Sequence, residues 1–199
     1  MHSVWKTSIR YTFVTAVLLG LAYPLLLTGV AEFLFPHQAN GSLITQGDKV
    51  IGSELIGQNF TKAEYFEPRP SAAGNDGYDA TASAASNYGP TNQKLVARVK
   101  ASVEKFRKEN PDYHGPIPAD LLTASASGLD PDVSPDSARA QIPRIAKARG
   151  ISTDQLDQLV GQLIQQPDLG LLGEPRVNVL KLNLALDQQF PRRQARLSK

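Results

Sequence analysis

From Thr12 to Phe35 the chain runs TFVTAVLLGLAYPLLLTGVAEFLF, 24 residues in which Glu32 is the only acid or base. At about 1.5 Å per residue, a helix of that length reaches roughly 36 Å, enough to cross a hydrocarbon core of about 30 Å with some tilt. The pattern predicts one transmembrane helix over residues 12–35, preceded by a short segment, residues 1–11. Pro24 removes a backbone hydrogen bond inside it and is expected to kink it, while Gly20 and Gly29 leave room for another helix to pack closely. A cleaved signal peptide is the alternative, with Lys6 and Arg10 as its basic start and Gly29-Val30-Ala31 as the cleavage site; such apolar regions usually run about 7–15 residues, which favours an uncleaved anchor. Lys6 and Arg10 precede the span with no acid beside them, and after it Lys49 is the first base. The positive-inside bias therefore keeps the N-terminus in the cytoplasm and sends everything from Pro36 onward outside.

Beyond the span the apolar positions change period. Gly41–Thr45 and Lys49–Ile51 read as short strands around Gln46-Gly47-Asp48, with a third at Leu55-Ile56-Gly57. Residues 67–92, EPRPSAAGNDGYDATASAASNYGPTN, hold almost no large aliphatic side chain and predict neither helix nor strand. So long a loop implies that a partner or a function holds it, and Tyr78 and Tyr88 offer it aromatic anchors. A helical period returns over residues 92–108, with Leu95, Val96, Val99, Val103 and Phe106 on one face. Residues 117–122 suggest a helical turn. Ser134 with Pro135 opens a further helix that Gly150 closes, interrupted only by the awkward Pro143. Ser152 with Gln155 forms a capping box ahead of Leu156, Leu159, Val160, Leu163 and Ile164, and Pro167 stops that helix. Arg176–Leu182 reads as a strand returning to the hairpin near the membrane. The expected architecture is one N-terminal transmembrane helix plus a small extracytoplasmic α/β (α+β) domain, residues 36–190, with a short mixed sheet and several amphipathic helices; a basic tail, 191–199, is expected to be disordered.

Composition narrows the function classes. Net charge is +2, from 21 Lys+Arg against 19 Asp+Glu, far from the basic field that nucleic-acid binding needs. The absence of cysteine excludes disulfides, thiolate catalysis and cysteine-ligated metals. His37 and His114 are isolated, without the spaced partners of a metal site. Ser102-Val103-Glu104-Lys105 matches a Ser-x-x-Lys pattern, but no Lys-Thr-Gly partner accompanies it, and neither a Gly-x-Ser-x-Gly elbow nor a phosphate-binding Gly-x-x-x-x-Gly-Lys-Ser/Thr loop occurs. No catalytic residue and no metal site are expected. Glu32 lies about one turn from the outer interface, where a carboxylate reaches water or a neighbouring chain more readily than an ion path, which a single helix cannot enclose.

Several segments together resemble one family. They are Gln38-Ala39-Asn40-Gly41-Ser42-Leu43-Ile44, Gly52-Ser53-Glu54-Leu55-Ile56-Gly57-Gln58-Asn59-Phe60, Arg69-Pro70-Ser71-Ala72 with Tyr78, and Gly89-Pro90-Thr91-Asn92. They continue with Thr123-Ala124-Ser125-Ala126-Ser127-Gly128-Leu129-Asp130-Pro131, Gln141-Ile142-Pro143-Arg144 and Gly173-Glu174-Pro175-Arg176-Val177-Asn178-Val179. In order and spacing these resemble the C subunit of the bacterial Kdp-type potassium-transporting ATPase, the KdpC family. The resemblance implies an accessory, non-catalytic subunit of the inner (cytoplasmic) membrane. Its implied partners are a channel-like potassium-translocating subunit, an ATP-hydrolysing P-type subunit and a very small stabilising subunit, with ATP and potassium handled by the complex and no cofactor bound by this chain alone. It also implies a chaperone-like factor that raises the pump subunit's ATP affinity, with the glutamine of the Gln-Ile-Pro-Arg segment, here Gln141, meeting nucleotide. The orientation read from the charges places Gln141 outside the cytoplasm instead, as a polar residue that packs or hydrogen-bonds locally. The long loop then becomes the expected docking surface, through Arg69, Tyr78, Asn87 and Tyr88, with Gly20, Pro24, Gly29 and Glu32 packing in the membrane. A membrane-anchored extracytoplasmic enzyme and a free-standing binding module remain the alternatives.

Overall fold

The computed structural model describes residues 2–191; the tail from Arg192 onward lies outside the described residues. The chain divides between Ser53 and Glu54 into two compact units.

The first unit opens with helix α1 (His2–Val17), a π-helical stretch (Leu18–Ala22) and α2 (Tyr23–Leu34), which run on as one apolar helix. From Ser3 to Leu34 it is long and apolar enough to cross a membrane, and none of its apolar window is buried in the protein. Residues 2–11, expected to precede the span, belong to the same continuous helix. Pro24 is absorbed by a wide turn: Leu18 carbonyl accepts from the Tyr23 N–H, five residues on, immediately ahead of the position where Pro24 has no N–H to give. A Cβ added at Gly20 or Gly29 would meet nothing within 4 Å, so both leave open helix surface. A short helix, α3 (Pro36–Ala39), leads to strands β1 (Leu43–Gln46) and β2 (Lys49–Ser53), which pair antiparallel with Gln46 opposite Lys49 and a register shift between Ile44 and Thr45. Gly47, at φ +63°, supplies the left-handed turn residue that such a tight hairpin requires.

The second unit is helical. Helix α4 (Gln93–Glu109) follows the long loop, then a 3-10 turn (Ala119–Leu121), strand β3 (Asp132–Val133), α5 (Pro135–Arg149), α6 (Thr153–Leu163), β4 (Val177–Asn178) and α7 (Val179–Gln189). Helix starts follow their caps. Asn92, Ser134, Ser152 and Asn178 each accept a backbone N–H of the first turn, and Ser152 with Gln155 completes the capping box. Gly150 ends α5 at φ +66°. Pro143 leaves α5 unbroken; the carbonyl it orphans belongs to Arg139, an exposed residue whose backbone can reach water. Packing of α5 on α6 and of α6 on α7 buries Ile142, Ile145, Leu156, Leu159, Val160, Leu182 and Leu186, together with Phe66 from the loop.

Four expectations are corrected. The residues read as a strand over 176–182 contribute only Val177–Asn178 to a ladder, after which the chain is helical. Val177 and Val179 suggested β structure, but Asn178 caps a helix and Val179, Leu182 and Leu186 recur with helical spacing toward the core. That ladder joins β3, with Asp132 opposite Asn178 and Val133 opposite Val177, and not the hairpin near the apolar helix. No strand forms at Leu55–Gly57, and the short mixed sheet is instead two separate two-stranded antiparallel ladders. Pro131 and Pro135 bound β3, and Pro175 and the Asn178 cap bound β4, so neither can grow.

Candidate functional site

The loop over residues 66–92 contains no helix or strand and is held by side chains. Two adjacent residues at its start, Phe66 and Glu67, are clamped by carboxamides from two helices. Asn183 of α7 accepts from the Phe66 N–H (2.9 Å) and donates to the Phe66 carbonyl (2.9 Å). Gln141 of α5 accepts from the Glu67 N–H (2.8 Å) and donates to the Glu67 carbonyl (3.1 Å). Each amide thus substitutes for a neighbouring strand, satisfying one backbone donor and one acceptor that burial would otherwise orphan. Gln141 is 1% exposed, and its two remaining valences are used as well: Nε2 donates to the Ser137 carbonyl (3.2 Å) and Oε1 accepts from Arg144 Nη2 (2.8 Å).

Arg144 extends this knot. Its guanidinium donates to Asn110 Oδ1 (3.0 Å) and to the carbonyls of Ala63 (2.7 Å) and Tyr65 (3.1 Å), and stands 3.8 Å from the Glu67 carboxylate. Burial lowers its pKa, and the Glu67 and Glu109 carboxylates counter that effect. Burial together with the Glu67 charge raises the Glu109 pKa above the usual carboxylate range, against Lys105 and Arg144. Arg149, one turn on, donates to the Glu64 and Phe190 carbonyls and to Asp187 (2.8 Å), and lies 4.9 Å from the centre of the Tyr65 ring.

A second knot binds the middle of the loop to residues 125–131. Arg69 Nη1 pairs with Asp130 Oδ2 at 2.7 Å, the Tyr78 hydroxyl donates to the Arg69 carbonyl (2.7 Å), and Ser71 Oγ donates to the Gly128 carbonyl (2.6 Å) while accepting from the Tyr78 N–H (2.8 Å). Burial, with the Asp130 charge, pushes the Tyr78 phenol well above its ordinary pKa, so it stays a neutral donor. Gly128, at φ +68°, admits the loop backbone: a Cβ there would lie 2.7 Å from the Ala84 carbonyl oxygen and 2.8 Å from the Ala73 nitrogen.

A cleft of about 360 Å³ lies between the two knots, lined among others by Glu67, Arg69, Tyr78, Lys105, Glu109 and Gln141. Its charges are mixed: Lys105 pairs with Glu67 (3.3 Å) and Glu109 (3.6 Å), and no hydrogen bond joins it to Ser102. A polyphosphate placed there would face two carboxylates. Among the described residues no group of three or more His, Asp or Glu is arranged to hold a metal ion. Of the residues expected to dock a partner, Arg69 and Tyr78 are turned into the domain's own hydrogen bonds, whereas Asn87, at φ +51°, and Tyr88, 38% exposed, face solvent. Asn110, Asn183 and Glu67 were missed by sequence reasoning; the signal available for Asn183 was a polar residue at a core-facing position of a helical period.

Together these features define a chain in which, among the described residues, one membrane-length apolar helix precedes a separately packed helical domain that uses its buried polar groups to hold its own loop. The family model described as K+-transporting ATPase, c chain, matches residues 5–188. A potassium-transporting ATPase KdpC subunit from Myxococcus xanthus is 54% identical over 191 residues, covering 96% of this chain and 90% of the relative. Those of Caulobacter vibrioides, 58% identical over 176 residues (88% of each chain), and Rhodospirillum rubrum, 56% over 175 residues (88% of this chain, 90% of the relative), are similar throughout. The chain belongs to the KdpC family, the C chains of potassium-transporting P-type ATPases.

Proposed function

We propose that the chain is an accessory, non-catalytic subunit of a high-affinity, ATP-driven potassium import complex. It assembles with the channel-like potassium-translocating subunit, the ATP-hydrolysing P-type subunit and the small stabilising subunit, which handle potassium and ATP. Its helix crosses the inner membrane once with the N-terminus in the cytoplasm, and its main domain lies outside. Lys6 and Arg10 at the start of the helix support that orientation. The observation that carries the non-catalytic reading is Gln141: all four hydrogen-bonding valences of a side chain 1% exposed are spent inside the domain, which leaves none for nucleotide. Any rise in the pump subunit's ATP affinity then passes through assembly contacts.

The test uses the cysteine-free background. A cysteine at exposed Lys108 is expected to react with a membrane-impermeant maleimide on intact spheroplasts, and the tagged full-length chain to co-purify with the other subunits. Labelling only after lysis overturns the orientation; purification alone from membranes overturns the assembly.

A further inference from the structure

Between Gly150 and Pro175 the chain carries Asp154, Asp157, Asp168 and Glu174 and no lysine or arginine. Within that stretch, Pro167–Gly173 closes into a tight turn. Asp168 and Leu172 exchange backbone hydrogen bonds in both directions (2.9 Å each), and the Gly170 N–H donates to the Pro167 carbonyl (3.0 Å). The turn holds its leucines outward: Leu169 is 90% exposed, Leu171 86% and Leu172 63%. No other run of the second unit's described residues leaves three large aliphatic side chains so bare.

Leu169 also sits at φ +54°, a backbone conformation that glycine or asparagine occupies far more readily. A branched apolar side chain there is unfavourable twice, in backbone conformation and in hydration. Covering the side chain removes the hydration term. The turn is preformed, so little ordering entropy opposes its capture.

Resting on the assembly reading above, we infer that the Leu169–Leu172 turn is a docking knob that inserts into an apolar socket with a basic rim on the extracytoplasmic face of a partner subunit of the pump. The rim follows from Asp168 and Glu174, exposed on either side of the leucines, neither engaged in an ion pair among the described residues. The same two carboxylates favour protein over bilayer as the occupant, because an anionic headgroup surface repels acids and recruits basic segments.

Leu169→Gly and Leu171→Ser, each in the tagged full-length chain co-expressed with the other subunits, separate docking from folding. Leu169→Gly relieves the backbone, so its unfolding midpoint is expected to equal or exceed that of the wild type while recovery of partner subunits falls at least tenfold. Undiminished recovery with both variants overturns the proposal; a wild-type chain that recovers no partner overturns the assembly reading instead. Asp168→Asn combined with Glu174→Gln is expected to remove the salt dependence of recovery, and an unchanged dependence overturns the basic rim. In Leu172→Cys carrying a polarity-sensitive fluorophore, a blue shift on assembly that spin-labelled phospholipid does not quench supports the socket. Quenching by that lipid in the chain reconstituted alone overturns it in favour of the bilayer.

Discussion

Replacing Gln141 by leucine keeps its volume roughly constant and removes its hydrogen bonds, which makes it the sharpest test of what that residue does. Four bonds are lost: to the Glu67 N–H (2.8 Å), the Glu67 carbonyl (3.1 Å), the Ser137 carbonyl (3.2 Å) and Arg144 Nη2 (2.8 Å). Ser137 carbonyl lies in the helix interior and is the cheapest to abandon. The N–H and carbonyl of Glu67 are left in a half-buried segment with no substitute, at about 1–3 kcal/mol for each orphaned group. Arg144 keeps Asn110, Ala63 and Tyr65, so its loss is partial. The sum is about 3–5 kcal/mol, which for a domain of this size lowers the unfolding midpoint by about 10–20 °C. Urea or thermal unfolding of the full-length chain in detergent, followed by circular dichroism, measures it, alongside the ATP dependence of hydrolysis by the assembled complex. A Gln141→Leu chain that unfolds within about 1 °C of wild type while the complex loses ATP affinity would overturn the packing role and return Gln141 to the nucleotide.

Two further perturbations probe the loop's second knot and the cleft. Gly128→Ala forces a Cβ within 2.7 Å of the Ala84 carbonyl oxygen at φ +68°; it is expected to cost about 2–4 kcal/mol from overpacking and left-handed strain, read as a lowered unfolding midpoint, and a neutral substitution would show that the loop is not held there. Because burial and the Glu67 charge raise the Glu109 pKa, the folded state favours the protonated acid: the penalty is present at neutral pH and is relieved as pH falls through the raised folded pKa. Glu109→Gln is therefore expected to be more stable relative to wild type at pH 7 than at pH 4.5, and a relative advantage that grows on acidification contradicts the assignment.

The parts of the fold legible in the sequence were those fixed by contacts within a few residues. The Gly47 turn, the Ser134 and Ser152 caps and the Gly150 stop each act within one helical turn or one hairpin and stand where the pattern predicts them, and the apolar run beginning at Thr12 falls within a longer helix over residues 2–34. Helix α7 was misread because β-branched Val177 and Val179 carry a local signal that the Asn178 cap and the core outweigh. The single mixed sheet failed for a related reason. Strand pairing is decided by which backbone groups remain free after capping, and prolines on both sides of Asp132–Val133 leave two residues to pair.

The site was less legible, because its defining contacts join residues far apart in the chain. Gln141 and Glu67 are 74 residues apart, and Asn183 and Phe66 are 117 apart. No local pattern announces that two helices will present carboxamides to consecutive residues of an extended segment. The physical requirement could still be stated in advance: a loop with Phe66 fully buried must bring its backbone into the core, and every N–H and carbonyl carried in must find a partner. A buried polar side chain on a core-facing helix position is the natural supplier of both. Gln141 and Asn183 each satisfy a donor and an acceptor of one peptide segment, a task that Asp and Glu, lacking a donor when ionised, cannot perform. The resemblance to a nucleotide-contacting glutamine and the packing role thus make opposite demands on the same amide: one needs its valences open, the other needs them filled, and here they are filled.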